Sequence, residues 1–413
     1  MELKRPALSF AANVDTTYTF FLCYPKKCIP FVYHLKGGIV LQKVRLAAVD
    51  IGNDAVKAFN GTNLIYIPNV IAEIGASRDY VELEKNMLDG LHVEITSSAL
   101  KKEKGCYAVG NLATGYPNND ELTSDSEKSN NDQSLILLLT TLAYDAVLNF
   151  PEKNGLIEAH YHLSTGLPLD EAKQKGKRKE FKEKLKSATH IVRFLDVPEV
   201  AGKEVQITLE EVLVNTEGHA AMIDLTTNDN GSIKNEDLIK ITSLIHDIGG
   251  LSTDSAIINP DGSVDNLHSE GINEGVSPYL DDIIKRVERK FGYRFRSRRQ
   301  LVETIIHPDA EERGVIWVKG RRESIQFIVD EVLMTLAKEE YKLIRKMWNQ
   351  VPHIRVAYLI GGGSVILKPY IEKLNGQEEK FPLRFVKPEE SVWMICKAYF
   401  KLLRMYLNRK RSA

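Results

Sequence analysis

The stretch HDIGGLSTDSAII, residues 246–258, follows directly on the apolar run IKITSLI and interrupts it with Asp, Gly and Ser. These three residue types are poor strand formers, and the apolar character returns only at SAII. The pattern therefore predicts a β-hairpin whose tip has few large side chains, so that backbone N–H groups can approach something negative. A phosphate group is the obvious candidate.

A second stretch, VDIGNDAVK at residues 49–57, has the same Asp-x-Gly turn between two apolar segments. Either hairpin alone is weak evidence, because polar turns that contain Gly are common. A glycine triplet, residues 361–363, adds a third such turn between the apolar run IRVAYLI and a helical pattern. Three turns of this kind in this order are not typical of ordinary loops.

Length and composition limit the class of protein. A chain of 413 residues is too long for one ordinary core, which favours two lobes. Hydrophobic content of 43% and charged content of 27% are typical of soluble globular proteins. The net charge of −1 argues against a protein coated with nucleic acid, although it allows local basic patches. No apolar run is long enough to predict a membrane span, and no signal peptide is indicated.

The four cysteines are scattered, which argues against a zinc site or a disulfide framework and favours the reducing cytoplasm. Residues 1–43 have no clean period of 2 or 3.6, and the first convincing strand begins at Val44. We expect residues 1–43 to be an appendage outside the fold, with disorder as one alternative. A native start near Leu41 is a second alternative, and a loosely packed arm is a third.

Two polar segments have local interpretations. The stretch NNDELTSDSEKSNND, residues 118–132, predicts an exposed loop, and Asp132 at its end is a plausible N-cap for the apolar helix that follows. The basic run EAKQKGKRKEFKEKLKSATH, residues 171–190, predicts a helix. Few aromatic residues interleave its charges, so a solvated face is favoured over a nucleic-acid contact.

The ordered set of three glycine-rich turns resembles the motifs of the actin, Hsp70 and hexokinase superfamily of ATPases. The first hairpin resembles the superfamily's phosphate 1 motif, D-x-G-x-x-x-x-K, through Asp50, Gly52 and Lys57. The second resembles the phosphate 2 motif, D-x-G-G-x-[ST]-x-D, through Asp247, Gly249, Gly250, Ser252 and Asp254. The triplet followed by Ser364 resembles the adenosine motif.

Within the superfamily the chain is similar to the ParM/StbA family of plasmid-segregation actins. The segments that carry this similarity are YAVGNLA, STGLPLDEAKQKGKRKEFKEKL, NTEGHAAM and DIGGLSTD. The family usually has Pro before the acid of the third segment, where this chain has Thr216 before Glu217. Gly218 and Ala220 keep the rest of the pattern.

The resemblance implies an α/β protein with a two-lobed actin-like ATPase fold. Each lobe would be built on a ribonuclease H-like mixed sheet flanked by helices. Lobe I would comprise residues 44–235, joined by a C-terminal helix at 388–413, and lobe II would comprise residues 236–387.

The resemblance also implies the roles of individual residues. The phosphates would be bound by Asp50, Gly52, Asn53, Lys57, Gly249, Gly250, Leu251, Ser252 and Asp254. The nucleoside would be bound by Glu274, Gly361, Gly362, Gly363 and Ser364. Catalysis would use Glu217, to polarise the attacking water, and Asp247. Asp50 and Asp247 would hold Mg²⁺ through its water shell.

Two of these acids also have a simpler interpretation. Glu217 falls at a strand-to-helix junction, where an acid complements the helix dipole without any ligand. Glu274 also lies near a predicted helix start, so its proposed ribose contact has the same alternative.

The function implied is an ATPase that self-associates into filaments, with ATP, or GTP as the alternative, and Mg²⁺ as cofactors. A DNA-binding adaptor protein would attach the filament to a plasmid, with no direct nucleic-acid or membrane contact by this chain, in the cytoplasm. A small-molecule kinase of the same superfamily is the main alternative, but no further D-x-G-type motif marks a substrate pocket. An Hsp70-like chaperone is disfavoured because the ATPase lobes leave no residues for a peptide-binding domain.

Overall fold

The structure is a computed structural model that describes residues 18–24, 27–33, 44–78, 86–121, 127–228, 231–378 and 380–412. The chain forms two compact units, Met1–Lys43 and Val44–Ala413. The described part of the first unit is an antiparallel hairpin of β1 (Tyr18–Tyr24) and β2 (Lys27–Tyr33). The expectation of no strand before Val44 is therefore wrong. Both strands are apolar at nearly every position, so they have no alternation of period 2 for a sequence pattern to detect.

The second unit contains a ten-stranded mixed sheet. Its strands are β3 (Arg45–Ile51), β4 (Ala55–Phe59), β5 (Leu64–Pro68), β6 (Val70–Glu73), β7 (His92–Ser97), β8 (Lys104–Val109), β9 (Asp120–Glu121), β10 (Leu156–Leu167), β11 (His190–Phe194) and β12 (Glu204–Thr216). They lie in the order β5-β4-β3-β10-β12-β11-β7-β8-β6-β9. Strand β3 pairs antiparallel with β4 and parallel with β10.

A second mixed sheet has five strands in the order β15-β14-β13-β18-β19. These are β13 (Thr242–Ile248), β14 (Thr253–Ile258), β15 (Glu270–Ile272), β18 (Ile354–Ile360) and β19 (Leu383–Phe385). A separate hairpin consists of β16 (Val315–Val318) and β17 (Arg321–Ser324). The strand directions in β15-β14-β13-β18-β19 repeat those in β5-β4-β3-β10-β12.

Nine α-helices lie in the described ranges. They are α1 (Asp132–Asn149), α2 (Leu169–Lys173), α3 (Lys177–Ser187), α4 (Glu217–Thr226), α5 (Ser277–Phe291), α6 (Arg298–Ile305), α7 (Gln326–Gln350), α8 (Gly361–Gln377) and α9 (Pro388–Ser412). The α/β class with two mixed sheets flanked by helices is confirmed. None of the helices that the structure describes is long and apolar enough to cross a membrane.

The start of α1 and the predicted basic helix both differ from the prediction. The N-cap of α1 is Asn131, whose side chain accepts a hydrogen bond from the Gln133 N–H at 2.8 Å, so the assignment to Asp132 is wrong by one residue. The Asp132 carboxylate instead accepts hydrogen bonds from the backbone N–H groups of Lys101 and Lys102. The single helix predicted over 171–190 is wrong in its bounds: the stretch forms α2 and α3, separated by residues 174–176, and His190 begins β11. Helix α3 buries Phe181 and leaves its charged side chains at least partly exposed.

Three large apolar clusters hold the second unit together. One lies between the ten-stranded sheet and α1, and another joins the five-stranded sheet to α5, α7 and α8. The third contains residues from both sheets together with α4 and α9, including Ala48, Ala220, Ile245 and Tyr399. Helices α4 and α9 therefore connect the two sheets through one core. The predicted lobe boundaries, at 235/236 and 387/388, fall between these elements and remain predictions.

Candidate functional site

The first hairpin, β3–β4, turns through Gly52, Asn53 and Asp54. Its register places Asp50 opposite Lys57, and the ammonium lies 3.7 Å from the carboxylate. The turn admits no side chain at Gly52, because a Cβ there would lie 2.6 Å from the Ala55 carbonyl oxygen. The predicted hairpin is confirmed, and its tip is tight.

The second hairpin, β13–β14, places Asp247 opposite Asp254 and turns through residues 249–252. The Gly249 N–H donates a hydrogen bond to the Ser252 carbonyl at 2.9 Å. A Cβ on Gly250 would lie 3.3 Å from the Cβ of Asn53, which belongs to the first hairpin. The two glycine-rich tips therefore face each other at close range.

A side chain from a helix supports each hairpin through hydrogen bonds. The Asn69 side chain donates to the Gly52 carbonyl at 2.7 Å and accepts from the Gln133 side chain of α1 at 2.9 Å. Under the second hairpin, the His246 ring lies 3.0 Å from the Glu340 carboxylate of α7, which also accepts from the Thr253 hydroxyl at 2.8 Å. Both His246 and Glu340 are buried. The partners in these contacts lie far apart in the sequence, so no local sequence pattern could predict that they meet.

The glycine triplet begins α8 and packs on the second hairpin. Gly361 has φ +82°, a left-handed conformation that favours glycine, and a Cβ there would overlap the Asp247 carboxylate. A Cβ on Gly363 would lie 2.9 Å from the Ile248 carbonyl oxygen. The start of α8 can therefore approach the phosphate 2 turn only because these two positions lack side chains.

Glu217 is the first residue of α4, directly after β12. Gly218 lets α4 approach β14, since a Cβ there would lie 2.6 Å from the Cβ of Ala256. One Glu217 carboxylate oxygen accepts a hydrogen bond from the Lys128 ammonium at 2.8 Å. Lys128 and Ser129 are buried, so the prediction of an exposed loop is wrong at these two residues. No local sequence pattern predicts that a lysine within a polar run is buried.

These elements surround one cavity of about 320 Å³, within the range typical of small-molecule sites. The predicted site residues that line it are Asp50, Gly52, Asn53, Lys57, Glu217, Asp247, Gly249, Gly250, Ser252, Asp254, Gly361, Gly362 and Gly363. Three others do not line it. Leu251 lies in the turn with its side chain buried, Ser364 is buried and donates to the Gly361 carbonyl, and Glu274 accepts a hydrogen bond from the Tyr279 hydroxyl at 2.6 Å.

The cavity also has walls that sequence reasoning did not identify. The lining also includes eight apolar side chains, those of Val276, Leu280, Val302, Ile306, Val365, Ile366, Val392 and Ile395. The Arg299 guanidinium, another lining group, lies over the Tyr66 ring, 5.4 Å from its centroid. Amphipathic patterns could predict that α5 and α6 have apolar faces, but they could not predict which face lines a cavity.

Six carboxylates line the cavity together with three cationic side chains, those of Lys57, Lys128 and Arg299. Burial raises the pKa of Asp247 to about 7, and the charges of Glu217 and Asp50 add to this effect. Burial, together with the charges of Glu217 and Asp247, raises the pKa of Asp254 well above its usual range. Burial also raises the pKa of Asp50, although the Lys57 charge opposes it. Burial and mutual repulsion therefore disfavour the charged forms of these carboxylates, and a bound cation would offset that repulsion.

The donor set fits a magnesium ion held through water. Within the ranges that the structure describes, no three His, Cys, Asp or Glu side chains converge closely enough to ligate a metal directly. Mg²⁺ needs few protein ligands, because it keeps several waters and takes one or two carboxylates together with substrate phosphates. Asp50 and Asp247 both line the cavity and are close enough for the Asp50 charge to raise the pKa of Asp247.

Two family models match consecutive parts of the chain. Residues 48–219 match the model described as "Actin like proteins N terminal domain", and residues 242–381 match the model described as "Alp7A C-terminal domain". The first match includes the β3–β4 hairpin and Glu217, and the second includes the β13–β14 hairpin and the glycine triplet. No curated protein matches the chain.

Several solved structures have a similar fold. Bacillus thuringiensis ParM with ATP is 22% identical with a TM-score of 0.68, and the match covers 88% of this chain and 99% of that one. Actin-like protein Alp7A is 16% identical with a TM-score of 0.71, with 89% and 97% covered. A 15-stranded ParM filament from Clostridium botulinum is 19% identical with a TM-score of 0.66, with 88% and 99% covered. This chain spans 49% of a Bacillus thuringiensis hybrid protein that contains two ParM mutants.

Proposed function

Since the chain belongs to the family of actin-like proteins, we propose that it binds ATP with Mg²⁺, assembles into filaments and hydrolyses the ATP. GTP is the alternative nucleotide. The filament would move plasmid DNA in the cytoplasm through a DNA-binding adaptor protein, without direct nucleic-acid binding by this chain. The names of its structural relatives, a ParM with ATP and a ParM filament, support the nucleotide and the polymer.

One observation carries the proposal. Both hairpin tips, the glycine triplet and Glu217 line a single cavity, although they lie far apart in the sequence. Glycine-rich tips present backbone N–H groups to phosphate oxygens from two sides. The apolar side chains of the lining offer a surface for a nucleoside base. A cavity lined by both glycine-rich turns and apolar side chains suits a nucleotide.

The charged residues have distinct roles in this proposal. The Lys57 ammonium adds positive charge next to the first tip, where it would contact the phosphates. Asp50 and Asp247 repel phosphate, so their contribution is to hold a cation's water shell. Mg²⁺, when bound, neutralises charge on the phosphate oxygens.

Glu217 is the residue that we assign to the attacking water. Its carboxylate lines the cavity at the start of α4, a helix that lies between the two hairpins in the sequence, and is anchored there by Lys128. It would orient the water and accept its proton as the water oxygen bonds to the γ-phosphorus and ADP leaves. The helix-dipole alternative predicts no effect of Glu217 on hydrolysis, so the two interpretations can be separated.

Sedimentation after ATP addition tests the proposal. Wild-type protein with ATP and Mg²⁺ should pellet and then return to the supernatant as ATP is consumed. Glu217→Gln should bind ATP normally and hydrolyse it about 10²–10⁴-fold more slowly, the usual contribution of a positioned base, so its pellet should persist. Wild-type protein that stays in the supernatant at tens of micromolar across a range of salt would contradict the filament. Phosphate transfer that appears only with an added acceptor would favour a kinase.

A further inference from the structure

Lys128 is a cavity residue that none of the nucleotide motifs includes. It is only 4% exposed, although lysines are almost never this deeply buried unless they are paired. Its ammonium donates to the Glu217 carboxylate at 2.8 Å and lines the same cavity as both hairpins. The pairing joins the loop before α1 to the first residue of α4, which lies 89 residues further along the chain.

Side chains from two helices fix the backbone that carries Lys128. The buried Glu171 carboxylate of α2 accepts hydrogen bonds from the N–H groups of Lys128 and Ser129, at 2.5 Å and 3.2 Å. The Lys184 ammonium of α3 donates to the Ser129 carbonyl at 3.2 Å. The position of Lys128 is therefore set by α2 and α3, and its ammonium approaches Glu217 from a fixed backbone.

The surrounding charges keep Lys128 protonated. Burial lowers its pKa, but the carboxylates of Glu217, Asp50 and Asp254 outweigh burial and raise the pKa above its usual value. A charged ammonium at hydrogen-bond distance holds a carboxylate more strongly than a neutral donor does. The contact involves the Oε1 atom of Glu217, so the Oε2 atom is left for another partner.

We propose that Lys128 is a positioning residue for Glu217, fixing Oε1 so that Oε2 faces the attacking water. The inference rests on the proposed ATP hydrolysis. In that step the water oxygen bonds to the γ-phosphorus, the bond to the ADP oxygen breaks, and the water proton passes to Oε2. Lys128 acts on this step only through Glu217, and it contacts neither the water nor the phosphates.

A second buried ion pair, whose acid also lies on α4, provides a control. Lys401 of α9 donates to the Asp224 carboxylate of α4 at 2.7 Å and to the Thr227 carbonyl at 2.8 Å, and it does not line the cavity. The side-chain exposures are 5% and 13% for Lys128 and Glu217, and 5% and 15% for Lys401 and Asp224. Replacing either lysine by Met removes one buried ion pair of α4, but only Lys128→Met alters the cavity.

Steady-state ATP hydrolysis by the full chain with Mg²⁺ tests the proposal. Lys128→Met should lower kcat about 10–100-fold, as loss of a supporting partner does in other sites, with little change in KM or in ATP affinity. Lys128→Arg should keep most of the rate, because its guanidinium can make the same contact. Lys401→Met should keep the wild-type kcat, and thermal melts report whether the two Met variants are equally destabilised.

A double-mutant cycle gives the decisive readout. In a Glu217→Gln background, Lys128→Met should cause no further loss of rate, because its effect acts through Glu217. A further loss there, or weaker ATP binding by Lys128→Met, would overturn the proposal and indicate direct contact with phosphate. An equal loss of kcat in Lys401→Met would also overturn it, since destabilised α4 would then account for the effect. Wild-type protein without ATPase activity would instead defeat the proposed function, and this inference with it.

Discussion

The two glycine-rich hairpins share a backbone plan but differ in the charges that face each other across it. In β3–β4, Asp50 lies opposite Lys57, so the first hairpin carries its own counter-charge. In β13–β14, Asp247 lies opposite Asp254, so the second hairpin places one acid against another. The same strand arrangement thus produces one cross-strand pair of opposite charges and one cross-strand pair of acids.

The supports beneath the tips differ in the same way. The first tip is held by the amide side chains of Asn69 and Gln133, which are neutral. The second is held by His246 and Glu340, a buried pair in which the ring nitrogen lies 3.0 Å from the carboxylate oxygen. The second hairpin also contacts the start of α8, where Gly361 packs on Asp247. We infer that the second hairpin is more sensitive than the first to bound cations, to pH and to substitutions in its surroundings.

The largest effect is expected where the second hairpin meets α8. Gly361→Ala would place a methyl group against the Asp247 carboxylate in a left-handed conformation, so we expect a loss of about 3 kcal/mol in the free energy of unfolding. Gly376→Ala, in the same helix, has nothing within 4 Å of the added carbon and should stabilise the protein slightly. Chemical denaturation measures both. Similar effects of the two substitutions would contradict the close packing of α8 on the hairpin.

The next effect concerns how far substitutions in each hairpin change the Mg²⁺ dependence of ATP affinity. Asp247→Ala should weaken ATP binding about 10–100-fold with Mg²⁺ present, and it should remove most of the difference between Mg²⁺ and EDTA. Lys57→Met should weaken binding both with and without Mg²⁺, because it removes a charge that acts on the phosphates directly. Titration with a fluorescent ATP analogue measures all four affinities. An unchanged affinity of Asp247→Ala would remove this residue from the site.

The smallest effect concerns pH. Burial and the charges of Glu217 and Asp50 raise the pKa of Asp247 to about 7, so its cation-binding form is lost as the pH falls below that value. We expect the affinity for Mg²⁺ and ATP to be about tenfold lower at pH 6 than at pH 8. Asp247→Asn cannot titrate at this position and should show a flatter profile, which also corrects for protonation of ATP itself. Identical profiles for the two proteins would assign the pH dependence to another group.

Local sequence was sufficient to predict the glycine-rich turns, because such turns depend on the conformations of a few neighbouring residues. The two hairpins and the turn at Gly361 were predictable because glycine-rich turns between apolar runs require a sharp reversal of the backbone, and glycine permits it. The resemblance that these motifs carry led to the two-lobed actin-like fold, which the structural matches confirm. Glu217 was assigned by the same resemblance, and its role in hydrolysis stays a prediction.

The parts that sequence did not predict depend on distant contacts. Lys128 lies in a polar run that predicts a loop, and it is buried only because Glu171 satisfies its backbone and Glu217 satisfies its charge. Glu274 lies near a helix start as predicted, but its carboxylate accepts a hydrogen bond from the Tyr279 hydroxyl and does not line the cavity. The partners in these contacts are fixed by the fold and have no local signature.

Calorimetric titration of the full chain with ATP, carried out once in Mg²⁺ and once in EDTA, tests the central claim most directly. If both hairpins bind one nucleotide between them, wild-type protein should saturate at one ATP per chain and bind more tightly with Mg²⁺. A protein with both Lys57→Met and Asp247→Ala should show little binding under either condition. No heat of binding to ATP or GTP at millimolar concentration, or equal affinity in the wild-type and doubly substituted proteins, would contradict the account.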